Sequence, residues 1–142
     1  MKVAFDISEE DVETVIKYPL SMVASDAFSI DEIFEDQPLP HPRHYGCFPR
    51  VLGRYVRERN ILSLVDAIRK MGLIDRGVIR EEAWTDLVIF DPRIISNRAT
   101  FENPVLTPTG IKYVIINGKI ALKDEARTEA LSGRVLRRQV AA

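Results

Sequence analysis

The stretch "IKYVIINGKIAL", residues 111–122, leaves a chain little choice. Two β-rich runs flank Asn117-Gly118, the pair that most readily takes the positive φ angles of a two-residue hairpin turn. A second β-type run, "DLVIF", is stopped by Asp91-Pro92. It closes "GVIREEAWTDLVIFDP", which has the look of short strands. Upstream of Gly72 the pattern is different and mostly helical. The sequence therefore predicts an α+β fold with a helix-rich first half and a β-rich second half.

In the first half, Ser8 followed by Glu9, Glu10 and Asp11 predicts a helix start. The serine accepts from exposed backbone N–H groups and the acids favour the positive end of the helix dipole. Val12, Val15 and Ile16 fall on one helical face, and Pro19 forbids continuation. Residues 20–24 then read as a short buried strand. A helix followed by an apolar strand is the rhythm of a βα-repeat protein with a parallel sheet. Residues 26–47 form a long connection with Pro38, Pro40, Pro42 and Gly46; loops this long are usually functional or disordered. Phe48, Val51, Leu52, Tyr55 and Val56 repeat at helical spacing, with Pro49 suited to the first turn and Asn60 to the exit. Ser63 and Asp66 predict a further helix start, burying Leu64, Ile68 and Met71.

A net charge of −1 gives no general field for nucleic acid or acidic membrane. No apolar run approaches the roughly 20 residues that span a bilayer, and "MKVAFDISEED" has acids where a signal peptide needs its hydrophobic stretch. A single cysteine, Cys47, excludes an internal disulfide framework and fits a reducing compartment. The expectation is a cytoplasmic protein.

Five side chains carry possible chemistry. Asp26 closes the apolar run "LSMVASD". It is either a turn-capping aspartate or a general base at the C-terminal end of a parallel strand, where α/β folds place catalytic groups. In "HPRH", His41 and His44 are too few for a self-contained zinc site. Arg43 between them either grips a substrate carboxylate bidentately or pairs with a nearby acid. Cys47 has no evident base or helix start to form a thiolate, and reads as a packed or idle thiol. The arginines of "RVLGRYVRER" are spread around an amphipathic helix and mixed with Glu58, which marks a solvated face rather than a nucleic-acid site.

Together, "SMVASDAF", "HPRHYGCFPRVLGRYVRERNILSLVDAIRKM", "DRGVIREEAWTDLVIFDP" and "GIKYVIINGKIAL" resemble the C-terminal part of N-acyl-D-amino-acid deacylases, the D-aminoacylases of the amidohydrolase superfamily. The resemblance runs in order from Ser8 to Arg138. It implies that residues 1–72 are the last strand and helices of a zinc-bearing (β/α)8 barrel, with an active-site loop at 26–47. Residues 73–142 would be part of a small β-sandwich with its hairpin at 117–118. The implied reaction is hydrolysis of the amide bond of N-acyl-D-amino acids.

By that resemblance Asp26 would be the general base toward zinc-activated water and then the proton donor to the leaving amine. Arg43 would hold the substrate α-carboxylate. The family's His-x-His metal pair and further ligands have no counterpart here, so no complete metal site is expected and zinc is not expected to bind tightly. The chain alone is expected to be inactive. Its expected partners are further copies of itself or a complementary barrel chain, with an N-acyl-D-amino acid as substrate once completed. Ala27 and Glu82 stand where the family usually has glycine, and a side chain at the turn of Glu82 is expected to be costly.

Overall fold

The computed structural model describes residues 7–27, 39–72, 76 and 78–136. The first element, α1 (Glu9–Lys17), begins as its sequence dictates: Ser8 Oγ accepts from the Asp11 N–H, and three acids fill the first turn. α2 (Arg43–Arg50) runs directly into a π-helix (Val51–Glu58). Pro49 lies inside α2, not in its first turn; the helix already starts after Pro42. Proline cannot donate to the carbonyl one turn back. Just beyond it the hydrogen bonding loosens to the wider π pattern, ending with Arg59 N–H donating to the Arg54 carbonyl at 2.8 Å. Asn60 makes the exit at φ +53°.

α3 (Leu64–Met71) is capped as expected, with Ser63 Oγ accepting from the Asp66 N–H. Its buried face is a correction. Ala67 and Lys70 are buried, whereas Leu64 and Ile68 are exposed. Lys70 Nζ donates to the Tyr18 carbonyl (2.6 Å), the Ser21 carbonyl (3.2 Å) and Ser21 Oγ (3.0 Å). An ammonium can be buried when its donors are met in this way. Val15 of α1 is likewise exposed while Ile16 is buried.

Residues 20–24 are not the buried strand expected from the sequence. They run without a strand partner among the described residues, and Leu20 and Met22 stand in solvent. A β-strand exists only where a neighbour pairs with it, and the described elements supply none.

The second half forms one antiparallel sheet in the order β1 (Leu87–Phe90), β2 (Ile111–Ile116), β3 (Lys119–Lys123), β4 (Ala126–Arg127). Asn117 at φ +48° and Gly118 at +78° turn the β2–β3 hairpin. Asp86 Oδ1 accepts from the Asn117 N–H at 2.7 Å, tying that turn to the approach of β1.

The halves share one core. Ile95, 1% exposed, packs with Ile16, Val51, Leu52, Tyr55, Leu62 and Ala67. Two glycines admit this segment: a Cβ on Gly53 would lie 2.9 Å from the Ile95 carbonyl oxygen, and one on Gly46 would run into Asn97 Oδ1. Arg57 then donates to the Ile95 carbonyl and, at 3.4 Å, to that of Pro92. α1 is held by charge as well. Glu9 lies 3.2 Å from Arg54 and 3.8 Å from Arg59, and Glu13 pairs with Arg59.

Candidate functional site

Asp26 stands near the end of the extended segment, at φ +49°. Aspartate tolerates this left-handed conformation better than most side chains. Its carboxylate is largely exposed, and Oδ2 lies 2.9 Å from Arg43 Nη2. Arg43 is the first residue of α2, so the helix start fixes where the guanidinium can reach. Two of the sequence candidates are thus brought together, and the nearby acid weighed for Arg43 is Asp26 itself.

The histidines brace the same turn. His41 Nδ1 accepts from the Arg43 N–H at 3.1 Å, while His44 Nδ1 lies 2.9 Å from the His41 carbonyl. Burial lowers the His41 pKa, and the positive charge of Arg43 lowers it further. The His41 ring meets Phe101 edge-on, with centroids 5.1 Å apart. Cys47 Sγ points at the Ala24 carbonyl, 3.6 Å away. Burial pushes its thiol up, against a smaller downward pull from Arg43, which disfavours the thiolate. Among the described residues, no three of His, Cys, Asp and Glu are grouped to hold a metal ion.

Beside this turn lies a cleft of about 700 Å³. Val12, Ile16 and Val51 give it an apolar lining, and Arg43, Arg50 and Arg98 add guanidinium groups. Arg98, Thr100 and Phe101 reach it from the β-rich half. Sequence reasoning missed them, because nothing local links residues 97–102 to a turn at 41–43. Their only signal is the packing of Ile95 and Asn97 against Gly53 and Gly46. Glu82, where the sequence departs from the glycine of the pattern, sits at φ +63°. Among the described residues no helix is long and apolar enough to cross a membrane.

No protein-family model matches the chain. It is 39% identical over 94% of its length to the N-acyl-D-glutamate deacylase of Alcaligenes xylosoxydans xylosoxydans. It is 37% identical to a D-aminoacylase and to an N-acyl-D-aspartate deacylase of the same organism. The chain spans only 28% of the length of the first of these. Among solved structures, a D-aminoacylase described as defining a novel subset of amidohydrolases matches with a TM-score of 0.81 at 37% identity. That match covers 93% of this chain and 28% of the other. The N-acyl-D-glutamate deacylase of Bordetella bronchiseptica, solved with zinc and a phosphonate mimic of the tetrahedral intermediate, matches with a TM-score of 0.71 at 34% identity. The D-aminoacylase has also been studied for its binuclear metal centre, with one-metal activation and second-metal attenuation.

Proposed function

We propose that this chain, which corresponds to the C-terminal part of an N-acyl-D-amino-acid deacylase, contributes two side chains to hydrolysis of the amide bond of N-acyl-D-amino acids. It does so only when the rest of the deacylase fold is present. Asp26 is the group that moves a proton, and Arg43 is the grip for the substrate α-carboxylate. The observation that carries this reading is the 2.9 Å ion pair between them, in a chain 37–39% identical to these enzymes over nearly its whole length. In such a pair the guanidinium already holds a carboxylate. A substrate carboxylate has the same charge and the same fork-matching geometry, so it can take the place of Asp26 on Arg43. The displaced Asp26 is then available as a base near the bound amide. An exposed carboxylate at the end of an extended segment is well placed for that exchange, because little desolvation opposes it.

The described residues do not group into a metal site, so the chain by itself is not the catalyst in this reading. The relatives' remaining length carries whatever else the reaction needs. The test is release of free D-amino acid from N-acetyl-D-glutamate, N-acetyl-D-aspartate and N-acetyl-D-leucine. It is run with this chain alone and with this chain plus the part of the relatives outside the match. No release alone, and release on complementation that Asp26→Asn removes, is the expected result. Release by the purified chain alone, or complemented release indifferent to Asp26, overturns it.

A second reading, a non-catalytic module that associates with copies of itself, draws on the exposed apolar residues Leu20, Met22 and Val65. Sedimentation of the chain alone separates the two: a dimer with no gain of activity on complementation favours the module.

A further inference from the structure

The start of α2 meets its backbone donors from two residues, His41 and Pro42. The first N–H groups of a helix have no partner inside it. Here Tyr45 and Gly46 N–H donate to the Pro42 carbonyl at 3.2 and 2.9 Å, and His44 N–H donates to the His41 carbonyl at 3.1 Å. Pro42 has no N–H to place. The Arg43 N–H is left over, and His41 Nδ1 accepts it at 3.1 Å. A side-chain acceptor two residues before the donor does what an aspartate or asparagine does in an Asx turn. A ring nitrogen that accepts carries no proton, so neutral His41 holds its proton on Nε2. The half-buried ring is braced from the other half of the chain, where Phe101 meets it edge-on at 5.1 Å between centroids. Asn97 of the same segment packs against Gly46 of α2.

We propose that His41 is a positioning residue for Arg43: its ring, set in place by Phe101, fixes the backbone from which the guanidinium reaches a carboxylate. In this structure that carboxylate is Asp26, 2.9 Å away. A guanidinium grips by a planar fork, so its hold depends on the direction from which it approaches. A helix start whose first N–H has lost its acceptor frays, and that direction is lost with it. The inference rests on the deacylase reading for the second carboxylate, the substrate's, and deepens that reading by naming the residue that aims the grip. The device is also acid-sensitive. Burial lowers the His41 pKa, and the charges of Arg43 and His44 lower it further. Arg50, Arg98 and Glu102 line the same cleft, and Asp26 pairs with Arg43, so among the described residues cations outnumber carboxylates around the ring. Protonation of Nδ1 would set a donor against the Arg43 N–H. The grip is therefore present above the lowered His41 value and slackens as pH falls through it.

The experiment has two arms. On the full chain alone, NMR of the imidazole nitrogens reads the His41 tautomer, and amide hydrogen exchange reads the Arg43 N–H. The Nε2–H form is expected, with the Arg43 amide shift following the His41 titration at a midpoint below about 6.5. His41→Leu should speed Arg43 exchange about tenfold. His41→Asn, whose Oδ1 takes the place of Nδ1, should restore it. An Nδ1–H tautomer, or exchange at Arg43 indifferent to His41→Leu, overturns the proposal. The second arm uses the assembly completed with the part of the relatives outside the match. There His41→Leu should raise KM for N-acetyl-D-glutamate about tenfold while kcat changes less than about twofold. His41→Asn should bring KM back, and Phe101→Ala should raise KM by less. KM unchanged by His41→Leu or by Phe101→Ala, no rescue by His41→Asn, or an equal fall in kcat overturns the proposal. Absence of hydrolysis by the wild-type assembly counts against the deacylase reading instead, and the tautomer and Arg43 exchange then decide whether His41 holds Arg43.

Discussion

Arg43 Nη2 lies 2.9 Å from Asp26 Oδ2, joining the first residue of α2 to the end of an extended segment whose backbone there is left-handed. The pair is solvent-exposed, so it adds little to stability, and most of its consequence is positional. Arg43→Ala is expected to change the unfolding free energy by less than about 1 kcal/mol. Asp26→Val, which forces a β-branched residue to φ +49°, is expected to cost about 1–3 kcal/mol. Urea denaturation of both variants compares the two. A large loss from Arg43→Ala would show that the pair is a structural clamp.

In the complemented assembly the same two residues should separate kinetically. Asp26→Asn lowers kcat by about 10²–10⁴ if it transfers a proton in the transition state. Arg43→Ala should act chiefly by raising KM, as loss of ground-state grip does. Steady-state rates on N-acetyl-D-glutamate give both values. Equal effects on kcat from the two changes would remove the division of roles.

The contact between the halves rests on missing side chains. Gly53→Ala sets a Cβ 2.9 Å from the Ile95 carbonyl oxygen, a backbone atom that has little room to shift. The expected loss is about 1–3 kcal/mol, the usual cost of overpacking. Gly133→Ala meets nothing within 4 Å and serves as the neutral control. Thermal unfolding followed by circular dichroism checks the contrast.

Lys70 holds the turn at residues 18–21 through three acceptors. Lys70→Met keeps much of the stem but takes the ammonium away from all three oxygens, at a cost of about 1–3 kcal/mol. Hydrogen exchange should rise at Ser21 and Val23, whose N–H groups donate to the Tyr18 and Lys70 carbonyls. Unchanged exchange there would mean that the turn stands without the lysine.

Acid should loosen α1 from the π-helix. Burial pushes the Glu9 pKa up, but hydrogen bonds from Arg54 and Tyr55 and the charges of Arg54 and Arg50 together leave it lowered. A carboxylate whose folded value is depressed contributes stability that is present above its unfolded value, about 4.3. That contribution is lost as pH falls through the folded value. Stability should therefore decline below about pH 4.3, and Glu9→Gln should flatten that part of the profile. Chemical denaturation at a series of pH values measures it.

Local structure was legible where it depends on neighbours in sequence. Ser8 and Ser63 cap their helices, Asn60 takes a positive φ at a helix exit, and Asn117-Gly118 turns the hairpin. Each depends on a few consecutive residues and the hydrogen bonds within their reach. The α+β class followed from the change of period near Gly72. The expected barrel strand at 20–24 did not appear, since pairing depends on chains that periodicity does not describe. Helical spacing also misjudged which face of α3 is buried: Ala67 and Lys70 are inside, and Leu64 and Ile68 are out.

The sequence by itself determined the caps, the turns, the two candidate side chains and the relationship to the deacylases, because these follow from residue identity and short spacing. Tertiary structure alone decided that Asp26 and Arg43 meet, that Arg98 and Phe101 share a cleft wall with His41, and that Lys70 is buried. Those outcomes depend on contacts between residues far apart in the chain. Such contacts form where backbones can approach, as Ile95 does at Gly53, and local patterning carries no record of that distance.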